Sequence, residues 1–209
     1  MGFWGEQVLP RLTDKLLSDK ETRRRRRKAV AGLQGTVVEI GFGSGLNVPL
    51  YPPEVEVVHA IEPSSVAKRL ATVRVEASPV SIRFSGLDGQ RLPLATGTVD
   101  AALSTFTLCT VPEVDLALME LYRVLKPGGQ LHFLEHGLSD DPAIAKWQHR
   151  FNGFQQLACG GCNLDRPIAR LLEDAGFELG PVEHEFMPGP RAMRPWGYLY
   201  EGRATKPAA

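Results

Sequence analysis

The run Val38-Glu39-Ile40-Gly41-Phe42-Gly43-Ser44-Gly45 constrains this chain more than any other. A short β-branched strand over residues 36–40 is predicted to end in three glycines, with a short helix beyond them. Glycines let the backbone turn sharply and let a ligand approach where a Cβ would stand in the way. The N–H groups at the start of the following helix favour a ligand's negative end. A dinucleotide-binding loop needs Gly-x-Gly-x-x-Gly, and Leu46 occupies the last of those positions. Glu39, just before the loop, disfavours a pyrophosphate and favours a ligand carrying an ammonium and a sulfonium. Glu62 follows the next predicted strand, Val55–Ile61, where a carboxylate can accept hydrogen bonds from both hydroxyls of a ribose.

From residue 36 onward strands and helices alternate. Ser64 can cap a helix whose Val66, Leu70 and Val73 face the sheet. Further strands are predicted over 80–85, Val99–Thr105 and 130–135. Val114, Leu118, Leu121 and Leu125 mark one helix face, and Lys126-Pro127-Gly128-Gly129 ends that helix. Ile144, Trp147, Phe151, Phe154 and Ala158 form an aromatic-rich face on another, and Asp165 and Pro167 open a last helix that Gly176 closes. Residues 177–185 and 196–203 follow without an intervening helix and are expected to pair antiparallel. The pattern predicts an α/β protein with a doubly wound, seven-stranded sheet, mostly parallel, and an antiparallel hairpin at its C-terminal edge. With 209 residues, 43% of them hydrophobic, the chain can bury such a sheet under helices on both faces.

The first 35 residues read differently, so we divide the chain into a helical extension, 1–35, and a domain, 36–209. Trp4, Val8, Leu12 and Leu16 recur as on one helix face, but Pro10 would clash in a helix interior. The helix is therefore expected to start near Pro10, with Phe3 and Trp4 packing as an extended arm. Arg23-Arg24-Arg25-Arg26-Arg27-Lys28 sets six cations in a row. They are read as a solvated helix face or, within residues 1–28, as a peripheral contact with anionic lipid. Lys+Arg and Asp+Glu both number 24, so no net charge draws the chain to nucleic acid, and a small molecule is the expected partner. No apolar stretch long enough for a membrane span and no signal peptide is read, which makes the cytoplasm the expected location. Three cysteines suggest no disulfide framework. Cys159-Gly160-Gly161-Cys162 lacks the second pair that a structural zinc needs and lies between helices, so neither a metal nor a redox role is expected of it.

Glu39 through Gly45, Glu62, Asp100 and Arg123-Val124-Leu125-Lys126-Pro127-Gly128-Gly129 together resemble the class I S-adenosylmethionine-dependent methyltransferases. The resemblance implies a Rossmann-like fold and S-adenosylmethionine as cofactor. It implies Glu39, Gly41, Gly43 and Gly45 around the methionine part, Glu62 and Pro63 at the ribose, and Asp88 and Gly89 at the adenine. Thr105 and Phe106 match the segment that lines the methionine and the transferring methyl. Leu87-Asp88-Gly89-Gln90 departs from the Gly-Asp-Ala-Glu of many relatives. Asn47, Tyr51-Pro52-Pro53, Leu108-Cys109-Thr110-Val111, Glu135-His136 and Gly161-Cys162-Asn163-Leu164-Asp165-Arg166 are similar to the methyltransferase-like alkyl thiol S-methyltransferases. That likeness implies an alkyl thiol acceptor. Those animal proteins hold to membranes through an apolar N-terminal anchor, which is not expected here.

A thiol has a pKa of about 8.5, so some thiolate exists without strong base assistance. His136, beside Glu135 at the end of the fifth strand, is the candidate base or polar pocket group, or else it orients a loop. Phe106, Leu108, Trp147, Phe151 and Phe154 are candidates for the acceptor wall, with Arg194-Pro195-Trp196 closing the same side. The rival readings are a lipid or quinone methyltransferase docking on membranes and a non-catalytic cofactor-binding protein.

Overall fold

The computed structural model describes residues 4–208. Seven strands form one sheet: β1 (Gly35–Ile40), β2 (Val55–Ile61), β3 (Ser81–Gly86), β4 (Val99–Thr105), β5 (Leu125–His136), β6 (Glu178–Phe186) and β7 (Tyr198–Thr205). Their order is β3-β2-β1-β4-β5-β7-β6, with β1 to β5 parallel and β7 antiparallel to both its neighbours. The reversed strand therefore lies inside the sheet, and β6 takes the edge. Burial explains the choice: Tyr198 to Glu201 of β7 are buried, whereas β6 is half-buried at best. The strand order reverses between β1 and β4, which leaves a crevice at their carboxyl ends.

Helices α3 (Ser65–Glu76), α4 (Val114–Val124), α5 (Pro142–Ala158) and α6 (Ile168–Asp174) connect the strands. Ser64 caps α3 as expected, accepting from the Ala67 N–H. Val66, Ala67 and Ala71 form its buried face, while Val73 is 75% exposed, because the small alanines let the helix approach Phe42 and Val48 closely. β5 begins at Leu125 directly after α4, so Lys126 to Gly129 belong to the strand, with a register shift against β4 between Val99 and Ala101.

The aromatic face of α5 points outward. Gln148 and Gln155 are its buried residues, while Trp147 and Phe154 are 48% and 67% exposed. Backbone hydrogen bonding decides this. The Gln148 side chain accepts from Ser139 N (2.8 Å) and donates to Gly137 O (2.9 Å) and Pro195 O (3.2 Å), satisfying groups that an aromatic ring could not. Trp147 stacks on Phe151, which meets Trp196.

The N-terminal segment is helical from Trp4, as a π-helical turn Trp4–Val8 leading into α1 (Leu9–Leu16), and not an extended arm. Pro10 falls in the first turn of α1, where its missing N–H costs nothing. Phe3 lies outside the described residues. The six cations fall in α2 (Lys20–Val30), which Asp19 caps through Glu21 N and Thr22 N. Four of them, Arg23, Arg24, Arg27 and Lys28, are exposed as a solvated face would be, but the two central ones are not. Arg25 and Arg26 are buried, Arg25 pairs with Glu21 and Glu185, and Lys28 pairs with Glu183. Thr22, Ala29 and Val30 share the buried side of α2, so packing turns the two central arginines inward. Among the described residues no helix is long and apolar enough to cross a membrane.

Candidate active site

A cavity of about 1160 Å3 opens at the carboxyl ends of β1, β2 and β4. Ile40 and Gly41 leave β1 along its floor, Glu62 and Pro63 follow β2, Asp88 and Gly89 follow β3, and Phe106 follows β4. The volume exceeds the usual range for one small ligand, about 300–1,000 Å3, and suits two. Gly41 has φ +63°, and a Cβ there would lie 2.0 Å from Thr107 Oγ1, so the loop can pass only as glycine. The Glu62 carboxylate accepts from Gly43 N and Ser64 N, each at 2.7 Å. A carboxylate has about four lone-pair sites, so roughly two remain to accept from neighbouring hydroxyls. Burial raises the Glu62 pKa, and those two N–H groups oppose the rise. Asp88 is exposed at the rim, its carboxylate accepting from Gln90 N at 2.8 Å.

Glu39, Gly43, Gly45 and Thr105 do not line the cavity; they stand behind its floor. Glu39 is fully buried and accepts from Asn47 Nδ2 (2.8 Å) and the Tyr51 hydroxyl. Burial lifts its pKa to about 7. Arg26 enters from α2 and donates to Thr105 Oγ1 (2.7 Å) and Asn47 Oδ1 (3.1 Å). Burial lowers the Arg26 pKa to about 10, and the charges of Glu39 and Glu135 oppose the fall. Gly43 holds Glu62 through its N–H, and Gly45, at φ +75°, packs against Val48, Phe42 and Ala71. Arg26 was invisible in the sequence, because nothing distinguishes one of six consecutive cations.

The far wall comes from the turn after β4 and from the end of α5. Phe106 has φ +56° and is the only non-glycine residue at positive φ among the described residues. Such strain persists only where neighbours impose it. Here Phe106 N donates to Leu134 O (2.8 Å), while Glu135 accepts from Ser104 Oγ (2.6 Å), Thr107 N (3.0 Å) and Cys109 N (3.2 Å). Glu135 is fully buried and holds this turn. His136 is half-buried behind Phe106, the ring centroids 5.2 Å apart, and does not line the cavity either. Thr110, Val111, Pro112, Leu157 and Trp4 complete the wall. Of the expected acceptor residues only Phe106 lines it. Leu108 is buried in the core, and Trp147, Phe151, Phe154 and the Arg194-Pro195-Trp196 turn are not among the lining residues.

Asn163 and Arg166 do line it, although the sequence reading gave them no chemical role. Arg166 donates to Leu108 O and, at 3.2 Å, to Pro112 O, and burial lowers its pKa. The Cys159-x-x-Cys162 pair is not formed; Cys162 Sγ instead faces Cys109 Sγ at 3.7 Å and His136 Nδ1 at 3.9 Å. The contact with Cys109 lowers the Cys162 pKa, and the same contact, together with burial, raises that of Cys109.

A family described as a methyltransferase domain matches residues 38–133. The human thiol S-methyltransferase TMT1B is 31% identical over 204 residues, covering 95% of this chain and 83% of that protein. The ubiquinone/menaquinone biosynthesis C-methyltransferase UbiE of Syntrophotalea carbinolica is 31% identical over 191 residues, 87% of this chain and 80% of that one. Among solved structures, a SAM-dependent methyltransferase from Thermotoga maritima shares the fold, with a TM-score of 0.68 at 23% identity over 97% of this chain and 99% of that one. With a glycine turn after β1, a carboxylate after β2 and relatives of this kind along almost its full length, the chain belongs to the class I S-adenosylmethionine-dependent methyltransferases, and S-adenosylmethionine is its methyl donor.

Proposed function

We propose that this methyltransferase methylates the sulfur of a small apolar thiol. One observation carries the reading. The wall away from Glu62 and Asp88 combines apolar side chains with the Arg166 guanidinium and presents no carboxylate or imidazole among the described residues. An acceptor that needed its proton removed by the protein would find no base there. A thiol depends on a base less than an alcohol does, since it is the stronger acid and sulfur the better nucleophile, and a nearby guanidinium favours the thiolate. The human relative named a thiol S-methyltransferase supports the same acceptor.

The cavity suits the donor on the β1–β3 side. Glu62 would accept from the ribose hydroxyls through the lone pairs that Gly43 and Ser64 leave open. Asp88 and Gly89 border the base, Gly41 makes room for the amino-acid part, and Pro63 covers the sugar. Phe106 borders the reacting centre. Glu39, Gly43, Gly45 and Thr105 keep the floor in shape from behind. When bound, the donor supplies a methyl carbon activated by its cationic sulfur. The acceptor thiol would release its proton to solvent and its thiolate would take the methyl group, a carbon–sulfur bond forming as the donor's methyl–sulfur bond broke. Proximity and exclusion of water are what the protein adds. Glu135 and His136 act as positioning residues for the Phe106 turn. The start of the described N-terminal helical segment roofs the cavity, because Trp4 and Gly5 line it and Trp4 Nε1 donates to Ala158 O at 3.0 Å.

A screen of alkyl thiols, phenols, amines and a lipid extract with labelled donor and mass-spectrometric detection tests the acceptor. Methyl thioethers are the expected products. Methylation of another class with none on sulfur would overturn the reading. A membrane-docked lipid or quinone enzyme has one feature in its favour, the exposed Trp4 and Leu157 at the cavity mouth. The burial of Arg25 and Arg26 weakens it, since only four of the six cations are left facing solvent. Flotation with anionic vesicles, comparing the whole chain with one lacking residues 1–28, separates the two: equal soluble fractions defeat the membrane version.

A further inference from the structure

Three groups that do not line the cavity meet behind its wall. Cys109 comes from the turn after β4, His136 from the end of β5, and Cys162 from the loop between α5 and α6. One ligand atom of each lies within 4.8 Å of the others, with sulfur to sulfur at 3.7 Å and Cys162 Sγ to His136 Nδ1 at 3.9 Å. A disulfide requires about 2.05 Å, so these are two separate thiols. Buried cysteines ordinarily pack as small hydrophobes. An imidazole nitrogen set against the pair is what such packing does not call for.

The spacing suits a metal ion. Tetrahedral zinc holds sulfur at about 2.3 Å and imidazole nitrogen at about 2.0 Å, which puts its ligand atoms roughly 3.5–3.8 Å apart. The cluster also stands ready-made. Asn163 donates from N (2.7 Å) and Nδ2 (3.1 Å) to Cys109 O, joining the two cysteine-bearing segments, and Glu135 accepts from Cys109 N. Charge balances as well: two thiolates offset a divalent ion, while Arg166 and Glu135 stand beside the cluster as opposed charges. Little net charge would then be buried.

We propose that Cys109, His136 and Cys162 form a site for a soft divalent metal ion of the zinc type, with three protein ligands and one coordination position left for water or a thiol. The ion would join the three segments that shape the far wall: the turn carrying Phe106 and Thr110, the end of β5, and the loop carrying Gly161 and Arg166. Cys159 takes no part. The site does not depend on which acceptor the enzyme uses.

The test is metal binding by the whole, reduced, chelator-stripped chain. Cobalt(II) titration should reach one equivalent with a thiolate charge-transfer band. Cys162→Ser should abolish that band, Cys109→Ser and His136→Ala should weaken binding by at least about tenfold, and Cys159→Ser should leave it intact. Loss in Cys159→Ser equal to that in Cys162→Ser would overturn the proposal. Zinc-edge X-ray absorption of the loaded parent chain needs no variant. Two sulfurs at about 2.3 Å with one imidazole are expected, and a shell of oxygen and nitrogen alone would sink the site. No methyl transfer is read in either measurement, so a wrong acceptor leaves the result standing.

Discussion

Glu39 and Glu62 belong to neighbouring parallel strands, two register positions apart, and the structure uses them in opposite ways. β1 and β2 run in register, Glu39 beside Ala60 and Ile40 beside Ile61. Glu62, just past the end of β2, reaches the cavity with two backbone bonds fixing its direction. Glu39 lies within β1, where its side chain turns away from the cavity into a sealed polar cluster with Asn47, Tyr51, Arg26 and Thr105. Two carboxylates of one motif thus divide into a ligand-facing group and a buttress. Proximity in a motif does not say which is which; position does, since Glu39 lies inside its strand and Glu62 just past the end of the next.

Breaking the buttress should have the largest effect. Arg26→Met removes one partner of a buried charge cluster, which costs about 3–5 kcal/mol, measurable as a lower urea midpoint. If the variant still folds, its affinity for S-adenosylhomocysteine should change by less than about 0.5 kcal/mol, since Arg26 does not line the cavity. Gly41→Ala should cost about 3 kcal/mol by the same assay, from positive φ and the clash with Thr107 together. A variant as stable as the parent would show that the loop is looser than the geometry requires.

Glu62→Ala sharpens the other side of the comparison. It removes charge-assisted hydrogen bonds worth about 1.5–3 kcal/mol, so calorimetry should record a loss of roughly tenfold to hundredfold in affinity for S-adenosylhomocysteine. An unchanged affinity would move the ribose elsewhere. The gentlest test uses pH. Burial raises the Glu39 pKa from 4.5 to about 7, so between those values the folded chain keeps a proton that the unfolded chain releases. This group therefore lowers stability as pH climbs from about 4.5 to about 7 and contributes no further slope above that. Urea midpoints at pH 5 and pH 7.5 should fall less in Glu39→Gln than in the parent.

Much of this fold could be read in advance. β2 and β4 fall where expected, ending at Glu62-Pro63 and Phe106, because a buried parallel strand needs a short, largely apolar run and a sharp exit. The lining at Gly41, Glu62, Pro63, Asp88, Gly89 and Phe106 was legible for the same reason: each follows directly on a strand end. What stayed hidden depends on partners distant in sequence. The aromatic spacing of α5 resembles a buried stripe, yet Gln148 won the inner face because loop groups at Ser139, Gly137 and Pro195 needed it. Cys159 and Cys162 look paired along the chain, while Cys162's partner stands 53 positions away. Likewise Arg26 is chosen from its row only by Asn47 and Thr105.

The bond from the Trp4 indole to Ala158 O links positions 154 apart across the mouth of the cavity. A lone hydrogen bond of this kind contributes about 0.5–1.5 kcal/mol. An opening of the mouth would then need only the turn carrying Trp4 to fray, with no two lobes swinging apart. Turnover would accordingly answer to changes at residue 4 more than to anything that stiffens the sheet.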